Sequence, residues 1–289
     1  MKKILIVGQN SYIGNNFEKW MYWQEKNSLI KKISVRDNSW RQYDFSPYDV
    51  VVHVAGIAHI KENNKNKHLY YSVNRDLVYE VALKAKEEGV SQFVFLSSMS
   101  VYGKDKGRIN KNSILCPNSA YGTSKKQAEE LIYNLNSNKF LVNIIRPPMV
   151  YGKGCGGNYV KLRTFALNFP LFPYYLNKRS VIHIDNLCEI MRLVIKNEDQ
   201  GLYCPQNKEY ASTQEIVKSI SKIHNSPLYL TKIFNPFIVL LRKLNINIIN
   251  KVFGDLVYDK EISTYKENYR IREFEKSIEL TEMERDDFE

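Results

Sequence analysis

What most constrains this chain is a rhythm in its first half. Short aliphatic runs recur: KILIV at 3–7, KKISV at 31–35, YDVVVHVAG at 48–56, SQFVFLSS at 91–98 and FLVNIIRPP at 140–148. Between them lie longer stretches of helical composition. Runs this apolar suit strands covered on both faces. In VNRDLVYEVALKAKEEG (73–89), Leu77, Val78, Val81, Ala82 and Ala85 fall at helical spacing. Strands alternating with helices predict an α/β fold with a doubly wound parallel sheet. The second strand is expected to end near Arg36. After about Val150 the rhythm loosens, with helices expected at 184–196, 212–223 and 237–244. The expected division is a sheet domain over 1–155, with 180–200 returning to it, and a smaller C-terminal α/β lobe over 156–289.

Composition narrows the class. No apolar run approaches the ~20 residues of a membrane span, and MKKILIVGQN is too short an apolar start for a secretory leader. A cytoplasmic protein without stable membrane insertion is expected, and FNPFIVLLRKL (234–244) reads as a core helix of the second lobe. Cys116, Cys155, Cys188 and Cys204 are scattered without a CxxC pair, so reduced thiols are expected, with no metal site and no disulfide framework. The formal charge is +11. Residues 271–289 hold eight acids and three bases, a net of −5, which leaves +16 on the rest. Such a balance favours an anionic partner. Lysines are scattered through polar loops such as KENNKNKH (61–68), with no zinc finger or RRM signature. An anionic small substrate, and not nucleic acid, is the expectation.

Two stretches carry chemistry. In VGQNSYIG (7–14), Gly8 and Gly14 stand where a phosphate-binding turn wants glycine, with Ser11 between them. A turn of this kind lets backbone approach a pyrophosphate and aims a helix N-terminus at it. Ser11 adds a Cβ there, though its hydroxyl could donate to phosphate. Alone the altered motif is weak and reads more readily as an ordinary strand-to-helix turn. In YGTSK, Tyr121 and Lys125 are four apart at the start of a helix and share a face. An ammonium near a phenol favours phenolate and brings its pKa toward the range of a general acid or base. Ser98 closes the strand 91–98 at its C-terminal end, the edge where open α/β sheets bind ligands.

Taken in order, VGQNSYIG, HVAGIAH, SVN (72–74), SSMSVYG, YGTSK, RPPMVYG and KRSVIHIDNL make the chain resemble the extended short-chain dehydrogenase/reductase family. Within it, the similarity is to the NAD-dependent epimerase/dehydratase group acting on nucleotide sugars, which has a Rossmann fold. The resemblance covers nearly the whole sequence. It implies that Tyr121 transfers a proton, that Lys125 tunes it and contacts the nicotinamide ribose, and that Ser98 bonds the reacting sugar oxygen. Gly8, Ser11, Tyr12, Ile13 and Gly14 would follow the pyrophosphate, and Ala55 and Gly56 the adenosine side. Asn74 would brace the adjoining loops. Ser100 would face the substrate, and Asn158 and Arg179 would hold its diphosphate. A homodimer through two helices per subunit is implied as well.

The family's dehydratases follow the hydroxyl residue with an Asp-Glu pair, where Met99 and Ser100 stand here, so dehydration is not expected. Net reduction of a keto sugar or 4-epimerisation remains. At the end of the second strand an acid binds the ribose diol of NAD, and a base accommodates the 2′-phosphate of NADP. Arg36 falls at that position, Asp37 one later and Arg41 close by, which favours NADP(H) over NAD(H). NADPH suits net reduction, and RPPMVYGKGCGGNYVKL resembles the capsular-polysaccharide 4-ketoreductase branch. The expectation is NADPH-dependent reduction of the C4 ketone of a UDP-4-keto-6-deoxy sugar; the alternative is an NAD-dependent nucleotide-sugar 4-epimerase. A cofactor-binding regulator without turnover is a third reading, disfavoured by the presence of Ser98, Tyr121 and Lys125.

Overall fold

The computed structural model describes residues 2–26, 28–58 and 62–283. Lys3–Val7 (β1) turns into Tyr12–Gln24 (α1), followed by Leu29–Ile33 (β2) and Val50–His53 (β3). Lys67–Tyr71 (α2) runs through one wide turn at Ser72–Asp76 into Leu77–Glu87 (α3), then Gln92–Leu96 (β4). Gly107–Ile109 (β5), Ala120–Tyr133 (α4), Leu141–Ile145 (β6) and Met149–Tyr151 (β7) complete the first half.

The main sheet is parallel throughout, in the order β2, β1, β3, β4, β6, with a sixth strand beyond β6. Its strands feed two cores by simple alternation. Ile4, Ile6, Val50, Val52, Val94 and Leu96 face one side, where Phe17, Trp20 and Met21 of α1 cover them. Leu5, Val7, Val51, Phe93 and Phe95 face the other, under Val78, Val81 and Ala85 of α3 and Ala128 and Ile132 of α4. The strand order reverses between β1 and β3, which opens a crevice at their C-terminal ends.

β2 stops at Ile33, three residues before Arg36. The amides of Gly8 and Gln9 both donate to the Ile33 carbonyl at 3.0 Å, so the turn after β1 takes the acceptor that further strand pairing would need.

The second half comprises Asn158–Asn168 (α5), Leu171–Pro173 (β8), Val181–His183 (β9), Ile184–Lys196 (α6) and Gly201–Tyr203 (β10). Thr213–Ile223 (α7), Tyr229–Thr231 (β11), Asn235–Lys243 (α8), Asn247–Phe253 (α9), Leu256–Tyr258 (β12) and Phe274–Glu282 (α10) follow. Helix α6 packs on α1, where Trp20 Nε1 donates to Glu189 Oε2 at 2.8 Å, and β10 is the sixth strand of the main sheet. A separate core gathers Tyr151, Tyr159, Phe172, Val217, Ile220 and Ile278. Short parallel pairs β7–β9, β8–β11 and β5–β12 stitch the lobe together.

One expectation changes here. Helix α8 is no core helix: of its residues only Ile238 is buried, because the helix lies at the rim and offers the lobe one narrow edge. The acidic end contributes α10, whose Ile278 is fully buried, while residues 284–289 and His59 of the HVAGIAH stretch lie outside the described residues. Among the described residues no helix is long and apolar enough to cross a membrane.

Candidate active site

The glycine turn sits in the β1/β3 crevice. Gly8 has φ +128°, and a Cβ there would lie 2.9 Å from the Ala55 amide nitrogen. A Cβ on Gly14 would lie 3.0 Å from Val54 and 3.1 Å from Ile6, so this glycine lets α1 close onto β1 and β3. Ser11 has an ordinary extended backbone (φ −70°, ψ 133°) and needs no glycine. Its Oγ accepts from Gly14 N at 3.3 Å, so the residue between the glycines is the N-cap of α1. The amides of Tyr12 and Ile13 belong to the first turn, where helix geometry provides no partner. The Tyr12 side chain turns inward instead: burial pushes its phenol far above the usual range, with Cys155, Cys188 and Asp185 adding to the effect.

Asn74 is fully buried at the wide turn before α3 and locks the loop after β3. Its Oδ1 accepts from Ile57 N and its Nδ2 donates to Ile57 O, both at 2.9 Å. A Cβ on Gly56 would lie 2.9 Å from Asn74 Oδ1 and 3.5 Å from Lys125 Nζ. The loop that follows the third strand is thereby held beside the lysine.

Ser98, Ser100, Tyr121 and Lys125 come together above β4. Ser98 Oγ donates to Ser100 Oγ and accepts from Ser100 N, each at 3.1 Å. Burial raises the Tyr121 phenol above its usual value, a hydrogen bond with Ser98 opposes the rise, and Tyr70, edge-on at 6.2 Å between rings, adds to it. Lys125 Nζ donates to Leu96 O at 2.7 Å and lies over the Phe95 ring, and burial pushes the ammonium down to about 7 against the pull of Glu129. The phenol thus stands above its usual value, where a lysine-driven lowering was expected.

Beneath them lies a brace that sequence reasoning missed. Glu129, four residues beyond Lys125, accepts from Arg146 Nε at 3.0 Å and Nη2 at 2.5 Å, and from Ser97 Oγ. Arg146 Nη1 donates to Tyr102 Oη at 2.8 Å. Both charged side chains are buried, so α4 is bolted to the ends of β4 and β6. At the other end of the pair Tyr121–Lys125, Glu62 Oε2 accepts from Ala120 N at 2.8 Å, and Ser119 Oγ accepts from Gly122 N at 3.1 Å. The 121–125–129 spacing is the signal that marked Glu129; nothing local marked Glu62.

At the adenosine end, Arg36 is exposed just past β2 and its amide donates to Ser34 Oγ. Asp37 caps the short helical turn 38–42: its carboxylate accepts from Ser39 N at 3.0 Å and from Ser39 Oγ, which hold it below the usual carboxylate range. Arg41 is paired with Glu80 at 2.5 Å. Beside the turn lies a cavity of about 420 Å³ lined by Gln9, Lys32, Ser34, Ser39, Trp40 and Tyr43. Asn158 and Arg179 belong to the second half of the chain. Asn158 is exposed in the first turn of α5. Arg179 exchanges backbone bonds with Ala211, and its Nη1 donates to Gly254 O at 3.2 Å. Burial lowers its pKa, opposed by Asp105 and Asp255.

This geometry agrees with what comparison with known proteins finds. Residues 4–204 match the NAD dependent epimerase/dehydratase family. The chain belongs to that family. Its members' chemistry makes it an NAD(P)-dependent enzyme of the extended short-chain dehydrogenase/reductase type. The UDP-glucose 4-epimerase of Vibrio cholerae is 26% identical over 258 residues, 79% of this chain and 77% of that protein. The N-acetyl-alpha-D-glucosaminyl-diphospho-ditrans,octacis-undecaprenol 4-epimerase of Escherichia coli O157:H7 is 28% identical over 67% of this chain, which spans 60% of that protein. The dTDP-4-dehydrorhamnose reductase of Bacillus anthracis, solved with NADP, shares the fold with a TM-score of 0.62 at 17% identity, over 79% of this chain and 83% of that one. The crevice fits the dinucleotide of such an enzyme: Gly8 lets the turn pass against the Ala55 backbone, Gly14 lets α1 close onto β1 and β3, and α1 begins there with first-turn amides that helix geometry leaves without partners.

Proposed function

We propose that this enzyme reduces the C4 ketone of a UDP-linked 4-keto-6-deoxy sugar with NADPH, a reaction of bacterial surface-polysaccharide synthesis. The observation that carries the choice of cofactor is at the end of β2. Asp37, the carboxylate next in the chain, is already engaged by Ser39, while Arg36 is exposed and forms no ion pair among the described residues. A ribose diol wants a free carboxylate; a 2′-phosphate wants a guanidinium and hydroxyls such as those of Ser34 and Ser39.

Gly8, Gly14 and the amides of Tyr12 and Ile13 would hold the pyrophosphate, with Ser11 fixing the helix start. Ala55, Gly56 and Asn74 would shape the adenosine side and Lys125 would meet the nicotinamide ribose. The nicotinamide, when bound, supplies hydride to C4. Burial keeps the Tyr121 phenol protonated, which suits delivery of a proton to the developing C4 alkoxide. Ser98, bonded to Tyr121, would steady that oxygen, and Ser100 would add a second hydroxyl. Elimination of water needs a further acid and base where Met99 and Ser100 stand, and neither residue can serve. Arg179 and Asn158 would take the diphosphate: both 4-epimerase relatives act on sugars carried by a diphosphate, the group a guanidinium suits.

The second reading, NAD-dependent 4-epimerisation, is favoured by the named activity of those two relatives. One assay separates them. The protein is mixed with a UDP-4-keto-6-deoxy-N-acetylhexosamine generated in place by a dehydratase, and NADPH and NADH absorbance are followed in parallel. Stoichiometric oxidation of NADPH with little loss of NADH supports the reductase. Consumption of neither, with interconversion of UDP-gluco and UDP-galacto sugars, overturns it in favour of the epimerase.

A further inference from the structure

We propose that the face formed by α8, α9 and the β8–β11 pair docks the enzyme on an anionic lipid bilayer. In α8 and its extension, Phe237 (66% exposed), Leu240 (54%) and Leu244 (62%) stand at i, i+3 and i+7, one side of the helix, and all point to solvent. Ile233 before the helix and Ile248 in α9 are each 69% exposed. The face continues onto the small sheet, where Leu171 and Tyr229 are paired in register and both exposed. The two segments are tied by Tyr174 N donating to Thr231 O at 2.7 Å and Asn235 Nδ2 donating to Tyr174 O at 2.9 Å.

Charge decides the occupant. No Asp or Glu occurs between Glu215 and Asp255, a segment with six lysines and arginines. Lys232 and Lys243 are exposed among the apolar side chains. A second copy of this face set against the first in a two-fold dimer would bring cation against cation. Protruding apolar groups set among basic residues match instead an interfacial helix on anionic lipid.

Beside the face, a cavity of about 360 Å³ is lined by Lys106, Tyr175, Arg242, Lys243 and Asn245. Arg242 Nη1 donates to Tyr175 Oη, and Lys106 Nζ donates to Asn245 Oδ1 at 2.6 Å, so two cations are held in place. Arg242 Nε is buried with no hydrogen-bond partner among the described residues. A lipid phosphate entering the cavity would supply its acceptor. The face is joined to the substrate lobe, since Arg179 bonds the carbonyl of Gly254, the residue that ends α9. Docking there does not depend on which sugar is turned over.

The test is sedimentation of the full chain with vesicles of phosphatidylcholine alone, or of phosphatidylcholine and phosphatidylglycerol in equal parts. The expected result is binding to the anionic vesicles only, reduced at least about ten-fold by Lys232→Glu with Lys243→Glu. Phe237→Ser with Leu240→Ser should weaken it as well. All four side chains are exposed, and matching melting curves check that the variants fold. Glycerophosphate at the same phosphate concentration should not release the protein. Binding equal on neutral and anionic vesicles, no binding to either, release by glycerophosphate, or charge-reversed variants that bind like the parent would each overturn the proposal. So would a dimer in solution that Phe237→Ser with Leu240→Ser dissolves, which would make the face an interface between copies.

Discussion

Replacing Glu129 by Gln tests the brace beneath Tyr121 and Lys125. The Glu129 carboxylate accepts two nitrogens of Arg146 and the Ser97 hydroxyl, and the two charged side chains are only 4% and 8% exposed. Gln keeps the shape but leaves the guanidinium buried without its counter-charge. Removing one partner of a buried pair costs about 3–5 kcal/mol, a large share of a total stability of about 5–15 kcal/mol. The change also reaches Lys125, because Glu129 is what opposes the burial that has pushed its ammonium down to about 7. A lysine whose folded pKa lies below its ordinary 10.5 binds fewer protons folded than unfolded between those two values. Its contribution to stability therefore rises with pH across that window and is flat below it. In Glu129→Gln the folded pKa falls further and the rise begins at lower pH. Urea unfolding of the cofactor-free protein, repeated across the window, measures both effects. A loss under about 1 kcal/mol, typical of a solvated surface pair, with an unchanged pH dependence, would refute the reasoning.

Four other outcomes are expected. Gly8→Ala places a Cβ 2.9 Å from Ala55 N at a positive φ, a strain of about 1–3 kcal/mol, and should weaken NADPH binding in a fluorescence titration by roughly ten-fold; unchanged affinity would take the turn out of the site. Ser11→Ala removes the N-cap of α1 and should lower stability by about 1 kcal/mol, read from the urea midpoint. Tyr121→Phe should leave folding and cofactor binding intact while lowering turnover by about 10²–10⁴-fold; preserved turnover would remove Tyr121 from the chemistry. Lys125→Met should abolish the rise in stability between pH 7 and 10.5, seen in the same series of unfolding curves.

Much of the candidate site's geometry was legible because its parts are local. Gly8 and Gly14 are spaced by the turn they form, and Tyr121 and Lys125 by one helical turn, so adjacency in sequence carries adjacency in space. Glu129 extends that spacing and could have been read the same way. Arg146 could not, because its partner lies across a helix-to-strand connection, on α4 while Arg146 follows β6. Glu62 reaches the first turn of α4 from 58 residues away, and Tyr70 meets Tyr121 edge-on from a different helix.

By itself the sequence determined the layered α/β architecture, since alternation of fully apolar strands with amphipathic helices has few other ways to bury its surface. It also placed the residues of the glycine turn and of the Tyr121 helix. Tertiary structure decided what single letters could not: that Ser11 caps a helix, that β2 ends at Ile33, that Asp37 is engaged by Ser39, and that Lys125 rests on the Leu96 carbonyl. It decided the fate of α8 as well. An apolar stretch can be buried or exposed according to what packs against it, and hydrophobicity alone carries no information about the neighbour; here the lobe covers Ile238 and leaves Phe237, Leu240 and Leu244 to solvent.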